Sequence, residues 1–317
     1  YFFQNKARSS GGKKRVAFAE GEEQKIIRAA YQIQEEGIAT PVLIGRKAVI
    51  EKELESLSFD YKPEIVDPDT FEKLETYATS FYEMRQRKGM TVGDSIKKVR
   101  DVNVLGSMMV KMGDADAFVS GLTYDYPEVI RPALQVHHTA KNVARAAGVY
   151  IMIFDEKVYL FTDATVNIDP TAEDLAEIAI LAADYAKKIE LDPHVAFLSF
   201  SNFGSTPHPL SDKVSKAVSI VKSRRPDLRV DGEMQADTAV VPEIAEERYP
   251  FSAVKDANVL VFPSLESANI AYKLLARLGN AKAIGPILLG VGAPVHVLQT
   301  GDDVNAIVQI ASVAVMD

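Results

Sequence analysis

A chain of 317 residues exceeds one small module and, at about 150 residues per domain, leaves room for two, each able to bury a core. Hydrophobic residues make up 47% and charged residues 25%, ordinary globular proportions, and 36 basic against 44 acidic side chains give a net charge of −8, so there is no overall basic field for a nucleic acid to bind. The lack of cysteine excludes disulfides, thiolate metal ligands and a cysteine nucleophile and fits a cytoplasmic setting, and no apolar run reaches the ~20 residues that would span a membrane.

The sequence opens on Tyr1 without an initiator Met, and NKARSSGGKK from Asn5 to Lys14 reads as a flexible basic linker arriving from an upstream domain, so residues 1–14 are assigned to a linker. From Lys14 onward, short β-branched runs alternate with longer amphipathic ones, the pattern of an α/β fold. A strand is expected at 15–18, then a helix at 22–36 with Ile26, Ala29, Ala30 and Ile33 on one face and Gly37 after its end, then strands at 41–44 and 64–67. Helices are expected at 71–87 before Gly89 and at 91–112 between Thr91 and Gly113, followed by a buried strand at 117–121. In the second half, 150–154 and 158–161 read as a hairpin turning at Asp155, and Thr171 as the N-cap of a long helix with Glu173 and Asp174 in its first turn. Strands at 195–199, 229–231, 259–262 and 283–289 alternate with helices at 211–224, 238–247 and 265–278, and a last helix spans 303–315. The expectation is two α/β lobes, one built from 15–142 plus 293–317 and the other from 143–292, with a cleft between them.

Ligands of open α/β sheets bind beyond the carboxyl ends of the strands. Three loops there carry polar chemistry. In SGLTYDYPEVIRP, from Ser120, small residues let backbone N–H groups approach a ligand and Arg131 offers a cation, although a plain turn with a solvated arginine has the same composition. LSFSNFGST, from Leu198, sets Ser201, Asn202, Gly204 and Ser205 in a polar cradle suited to an anion, or in an ordinary capping turn. DGEMQAD places carboxylates at Asp231, Glu233 and Asp237, which serve a cation poorly without further ligands and serve turns well. The five histidines, His137, His138, His194, His208 and His296, have no metal-ligand spacing, and there is no GxSxG, P-loop or GxGxxG.

Taken together, RVAFAEGEE (15–23), RQRKGMT (85–91), FVSGLTYDYPEVIRPALQV (118–136), FLSFSNFGS (197–205), VDGEMQAD (230–237), FPSLESANIAYKLLARLG (262–279) and IGPILLGVGAPVHVL (284–298) resemble the phosphate acetyl/butyryltransferases, in order along the chain from residue 14. DPTAEDLAEIA (169–179), SNFGS and the spacing of ANIAYKLL to GPILLG resemble most the phosphotransacetylase-like C-terminal domain of multidomain NADP-dependent malic enzymes. The resemblance implies two α/β lobes of the phosphotransacetylase and isocitrate dehydrogenase-like type with coenzyme A in the interlobe cleft. It implies an acetyl-CoA site formed by Arg85, Ser120, Gly121, Arg131, Ser201, Asn202, Gly204, Ser205, Asn269, Lys273, Gly285 and Pro286. In an active enzyme of the family a Ser and Arg follow a KPVNDL-like stretch and an Asp follows shortly after, the Asp acting as base toward the coenzyme A thiol. Here Gln299, Thr300 and Ala306 stand at those positions, while Arg85 and Arg131 remain.

Loss of a positioned base removes about 10² to 10⁴ in rate. The departures therefore lead to the expectation of a catalytically inactive domain that binds acetyl-CoA as an effector and controls an upstream malic enzyme, whose own catalysis would use NADP and Mg or Mn. The alternatives are an active phosphate acetyltransferase, with Asp302 or Asp303 replacing the base, and a purely structural oligomerisation module. An apolar helical stretch at 178–185 adds the expectation of a homodimer or higher even assembly.

Overall fold

A computed structural model describes residues 2–9, 12–57, 60–155 and 157–316. The chain divides into two compact units, one of residues up to Lys141 together with Val291 onward, the other of Asn142–Gly290. The first begins with α1 (Phe2–Ser9) and β1 (Arg15–Phe18), then alternates α2 (Gln24–Glu35), β2 (Thr40–Ile44), α3 (Lys47–Leu57), β3 (Glu64–Val66) and α4 (Leu74–Arg85). A 3-10 turn at Gln86–Lys88 leads to α5 (Val92–Val99), α6 (Val102–Met112), β4 (Ala117–Ser120) and α7 (Tyr126–His137). The second unit holds β5 (Ala147–Phe154), β6 (Lys157–Thr162), α8 (Ala172–Lys188), β7 (His194–Leu198), α9 (Pro209–Arg224), β8 (Arg229–Met234), α10 (Ala236–Val240), α11 (Pro242–Arg248), β9 (Val259–Val261), α12 (Leu265–Leu278) and β10 (Lys282–Leu289). The chain returns to the first unit through β11 (Val295–Val297) and α13 (Val304–Met316).

The first unit's sheet runs β11-β4-β1-β2-β3 and all its pairings are parallel. Strands of such a sheet are buried on both faces and read as unbroken apolar runs, as Ala117, Phe118 and Val119 of β4 do at 0% exposure. The second unit's sheet runs β10-β5-β6-β9-β7-β8, with β10-β5 and β5-β6 antiparallel and the rest parallel. Helix α8 starts at Thr171, whose hydroxyl accepts from Asp174 N while the Asp174 carboxylate takes the Thr171 N–H in return, and it buries an alanine-rich face on this sheet.

Several expectations are corrected. Residues read as flexible linker form α1, which buries Phe3 and Ala7 and packs on α13, and Lys14 Nζ donates to Val315 O at 2.6 Å; Ser10 and Gly11 lie outside the described residues. The single helix expected at 91–112 is two, because Asp101 is extended and its carboxylate caps α6 through the N–H groups of Asn103 and Val104. The helix expected at 238–247 divides at Pro242, which opens α11. The 178–185 stretch is core, with Ile178, Ala179, Ala182, Ala183 and Tyr185 at 5% exposure or less, so it gives no ground for an assembly.

Candidate active site

In the first unit, Arg85 ends α4, half-buried, and its buried Nε has no hydrogen-bond partner among the described residues. Arg131 lies on an exposed turn of α7, a helix that the sequence had suggested was loop. Its two prolines mislead: Pro127 occupies the first turn, where a missing N–H costs nothing, and Asp125 with Glu128 forms a capping box. The loop between β4 and α7 is not an open receptor for an anion, because the protein fills it. Glu20 Oε2 accepts from Gly121 N at 3.1 Å, and Glu20 Oε1 accepts from Thr123 N at 2.7 Å and Thr123 Oγ1 at 3.2 Å. The Ser120 hydroxyl is likewise engaged, donating to Asn103 Oδ1 at 2.6 Å. Gly121 has φ of +113°, and a Cβ there would sit 2.8 Å from Val297 Cγ1, so the turn admits no side chain.

At the end of the same unit, Gln299 N donates to Asp302 Oδ2 at 2.8 Å and Asp303 Oδ1 accepts from Ala306 N at 2.8 Å. Asp303 is thereby the acceptor at the start of α13. Burial pushes the Asp302 carboxyl up from its ordinary value, more than the Gln299 N–H pulls it down. Thr300 is exposed and Ala306 half-buried.

The second unit repeats the self-filled loop. Glu233, at 2% exposure, accepts from Ser201 Oγ at 3.0 Å and from Gly204 N at 2.6 Å, while Asn202 N donates to Ser205 Oγ and Gln235 N to Asn202 Oδ1. Two of the three loops singled out by sequence are thus halves of one structure, the anion of the SNFGS cradle being the glutamate of DGEMQAD. Asp231 is spent on Lys222 Nζ at 2.8 Å and on Ser252 Oγ and Ala253 N. A third buried carboxylate, Asp163, after β6, accepts from the N–H groups of Gly148, Thr165, Val166 and Asn167. Asn269 is half-buried on α12 and Lys273 exposed, its ammonium 5.9 Å from the Tyr272 ring centroid. Gly285 and Pro286, expected as a turn, are buried inside β10 at an irregularity of its pairing with β5. The expected ligand residues therefore divide between the units: Arg85, Ser120, Gly121 and Arg131 in the first, Ser201 to Ser205, Asn269, Lys273, Gly285 and Pro286 in the second. Among the described residues no group of three or more His, Asp or Glu side chains is placed to hold a metal ion, and no helix is long and apolar enough to cross a membrane.

Each α/β unit thus carries strand-end loops tied down by its own carboxylates, and among the described residues Arg85 and Arg131 form no ion pair. The family model described as phosphate acetyl/butaryl transferase matches residues 3–315, and the chain belongs to that family. It is 44% identical to a protein of Clostridium acetobutylicum named phosphate acetyltransferase, over 96% of this chain and 94% of that one. A solved phosphotransacetylase from Streptococcus pyogenes superposes with a TM-score of 0.94 at 39% identity, covering 99% of this chain and 97% of that one. An NADP-dependent malic enzyme of Escherichia coli is 36% identical over 96% of this chain but only 41% of its own length.

These likenesses overturn the expectation of an inactive effector domain controlling an upstream malic enzyme. Relatives matched over nearly their whole length carry the transferase name in their own right, whereas the malic enzyme is matched over 41% of its length.

Proposed function

We propose that the protein is a phosphate acetyltransferase, interconverting acetyl-CoA and phosphate with acetyl phosphate and coenzyme A. The support is the 44% identity to a phosphate acetyltransferase over 96% of the chain. In the reaction a phosphate oxygen bonds to the thioester carbonyl carbon, the carbon–sulfur bond breaks, and sulfur leaves with the electron pair and takes up a proton. Arg85 and Arg131 hold the phosphate oxygens and offset the charge that grows on the carbonyl oxygen, a contribution worth about 10² to 10³ in rate for one such donor. The Nε of Arg85, which has no hydrogen-bond partner among the described residues, suits it to an oxygen ligand.

Asp302, rather than Asp303, carries the proton in this proposal. Its carboxyl is raised by burial and so holds a proton more readily than an exposed aspartate, which lets it protonate the departing thiolate and recover the proton from the thiol in reverse. Each aspartate accepts one backbone N–H, Asp302 from Gln299 and Asp303 from Ala306, but Asp303 is exposed. Gln299 supplies no hydroxyl, Thr300 no guanidinium and Ala306 no carboxylate at the positions the resemblance assigned to them, so the two arginines and Asp302 bear the chemistry. A cytoplasmic setting belongs to the proposal as well, with the cysteine-free composition as its support.

The test is turnover of acetyl phosphate and coenzyme A by the purified chain. Rates in the ordinary enzymatic range of about 1 to 10³ per second, falling by about 10² to 10⁴ in Asp302→Asn, are expected. A wild-type rate no faster than the uncatalysed reaction overturns the proposal.

A further inference from the structure

Asn103, in the first turn of α6, keeps a buried donor that the fold does not use. The residue is 2% exposed, and its Oδ1 accepts from Ser120 Oγ at 2.6 Å. The Ser120 hydroxyl, at 0% exposure, has no other acceptor among the described residues, so its proton faces Oδ1 and both hydrogens of Asn103 Nδ2 turn the other way. Nδ2 meets no hydrogen-bond partner among the described residues. A buried donor without an acceptor is destabilising, and native proteins keep few such groups. Helix capping does not explain this one. Asp101 Oδ1 already takes the backbone N–H groups of Asn103 and Val104, at 2.9 and 3.2 Å, and the side-chain amide has no part in that cap.

Asn103 also stands where ligands of such folds sit. Its partner Ser120 ends β4, at the carboxyl edge of the parallel sheet. Helix α6 packs on α4, which ends at Arg85, on β4, and on α7, which carries Arg131. The start of α6 and the end of α4 border one hollow, lined in part by Met90 and Asp101, and Met90 N bonds back to Arg85 O at 3.5 Å. Two donors without partners among the described residues, Arg85 Nε and Asn103 Nδ2, thus belong to helices that pack together. Their chemistry differs. A guanidinium brings charge and suits a phosphate, whereas a carboxamide brings none, and its bond strengthens where the acceptor turns negative. An oxygen that starts as a carbonyl and gains charge during the reaction is the acceptor that uses such a donor best.

We infer that Asn103 is a further catalytic residue, its Nδ2 donating to the thioester carbonyl oxygen; the role rests on the transferase reading. As a phosphate oxygen bonds to the carbonyl carbon, the carbon–oxygen π pair moves onto the carbonyl oxygen, and the amide holds that oxyanion until the pair returns and expels sulfur. Steady-state kinetics with acetyl phosphate and coenzyme A on the full chain compare wild type, Asn103→Ala, Asn103→Asp and Ser120→Ala. Asn103→Asp keeps an acceptor for Ser120 and removes the donor. Both Asn103 variants should lose about 10² to 10³ in kcat, with KM for either substrate within about threefold of wild type. Ser120→Ala breaks the same hydrogen bond but keeps the donor, so its kcat should fall by no more than about tenfold. Asn103→Ala and Ser120→Ala should melt at similar temperatures, since both lose that bond, so stability does not account for the difference in kcat. In isotope-labelled wild type, the side-chain amide signal that disappears in Asn103→Asp should move with acetyl phosphate and stay in place with inorganic phosphate alone. A kcat within about threefold of wild type in both Asn103 variants, a loss no larger than that of Ser120→Ala, or an amide signal that inorganic phosphate moves as far as acetyl phosphate does, overturns the assignment while wild-type turnover leaves the transferase reading standing. A wild type that does not turn over removes both.

Discussion

Replacing Glu20 tests whether the turn after β4 is held by the protein's own carboxylate. Four contacts join Glu20 to that turn: Gly121 N at 3.3 and 3.1 Å, Thr123 N at 2.7 Å and Thr123 Oγ1 at 3.2 Å. Against them stands burial, which pushes the Glu20 carboxyl up from its ordinary value of 4.5 by more than these bonds pull it down. In Glu20→Ala the buried Gly121 N–H loses its acceptor, a cost of about 1 to 3 kcal/mol, while Thr123 turns its N–H to water and removal of the buried charge returns part of the loss. The net expectation is a destabilisation of about 1 to 2 kcal/mol. Glu20→Gln keeps an accepting oxygen and removes the charge, so it should cost less than the alanine. Because the folded carboxyl is raised, the stability it contributes is complete below 4.5 and is lost as pH rises through the folded value. Wild type should therefore lose stability relative to Glu20→Gln as pH rises from acid to neutral. Urea unfolding of the three proteins at acid and neutral pH reads both quantities from the midpoint at constant slope. An alanine variant as stable as wild type, or a glutamine variant weaker than the alanine, refutes the reasoning.

Gly106 on α6 is a second point of leverage. An added Cβ would lie 2.0 Å from Cε2 of the fully buried Phe118, an overlap costing about 1 to 3 kcal/mol or more against the ~1 kcal/mol that alanine usually gains in a helix. Gly106→Ala should lower the melting temperature, and a rise would show that the ring moves freely. His137 supplies a pH dependence: burial brings its imidazole down from 6.5 to about 4, with Nε2 3.0 Å from Ser107 O. Since the unfolded chain takes up a proton that the native ring refuses, stability should fall as pH drops from 6.5 through 4, by about 1 to 3 kcal/mol after allowance for partial exposure. His137→Asn should flatten that slope in an unfolding series, and an unaltered slope would place the titration elsewhere.

The alternation of RVAF, TPVLI and AFVS with amphipathic runs was legible because parallel strands buried on both faces leave short apolar blocks, and these fall at β1, β2 and β4. Thr171 and the hairpin around Asp155 were legible for the same local reason, a cap or turn residue beside a periodic run. Helix α7 was not, since its prolines resemble loop unless the capping box at Asp125 and Glu128 is recognised. The break at Asp101 was missed because an aspartate beside Arg100, Lys97 and Lys98 looks like part of a solvated helix face. The self-filled loops were beyond reach for a different reason. Gly121 and Glu20 are 101 positions apart, and Gly204 and Glu233 are 29 apart, so a string of small and polar residues shows the donors and hides which carboxylate they meet. The glutamate two residues after the buried strand β1 was the available signal, and it stood unread inside the family motif.

The three internal carboxylates, Glu20, Glu233 and Asp163, have a consequence for recognition. A loop whose amides already face a glutamate or aspartate is a mould cast at folding, and its shape owes nothing to cargo. Substrate affinity then carries no fee for ordering those segments. Under the proposed transferase reading, an incoming phosphate would meet negative charge wherever such a turn is closest, so attraction would have to come from guanidinium and ammonium groups standing apart from the turns. Amide protons at Gly121 and Gly204 would accordingly exchange slowly in the empty protein, and no more slowly when it is loaded.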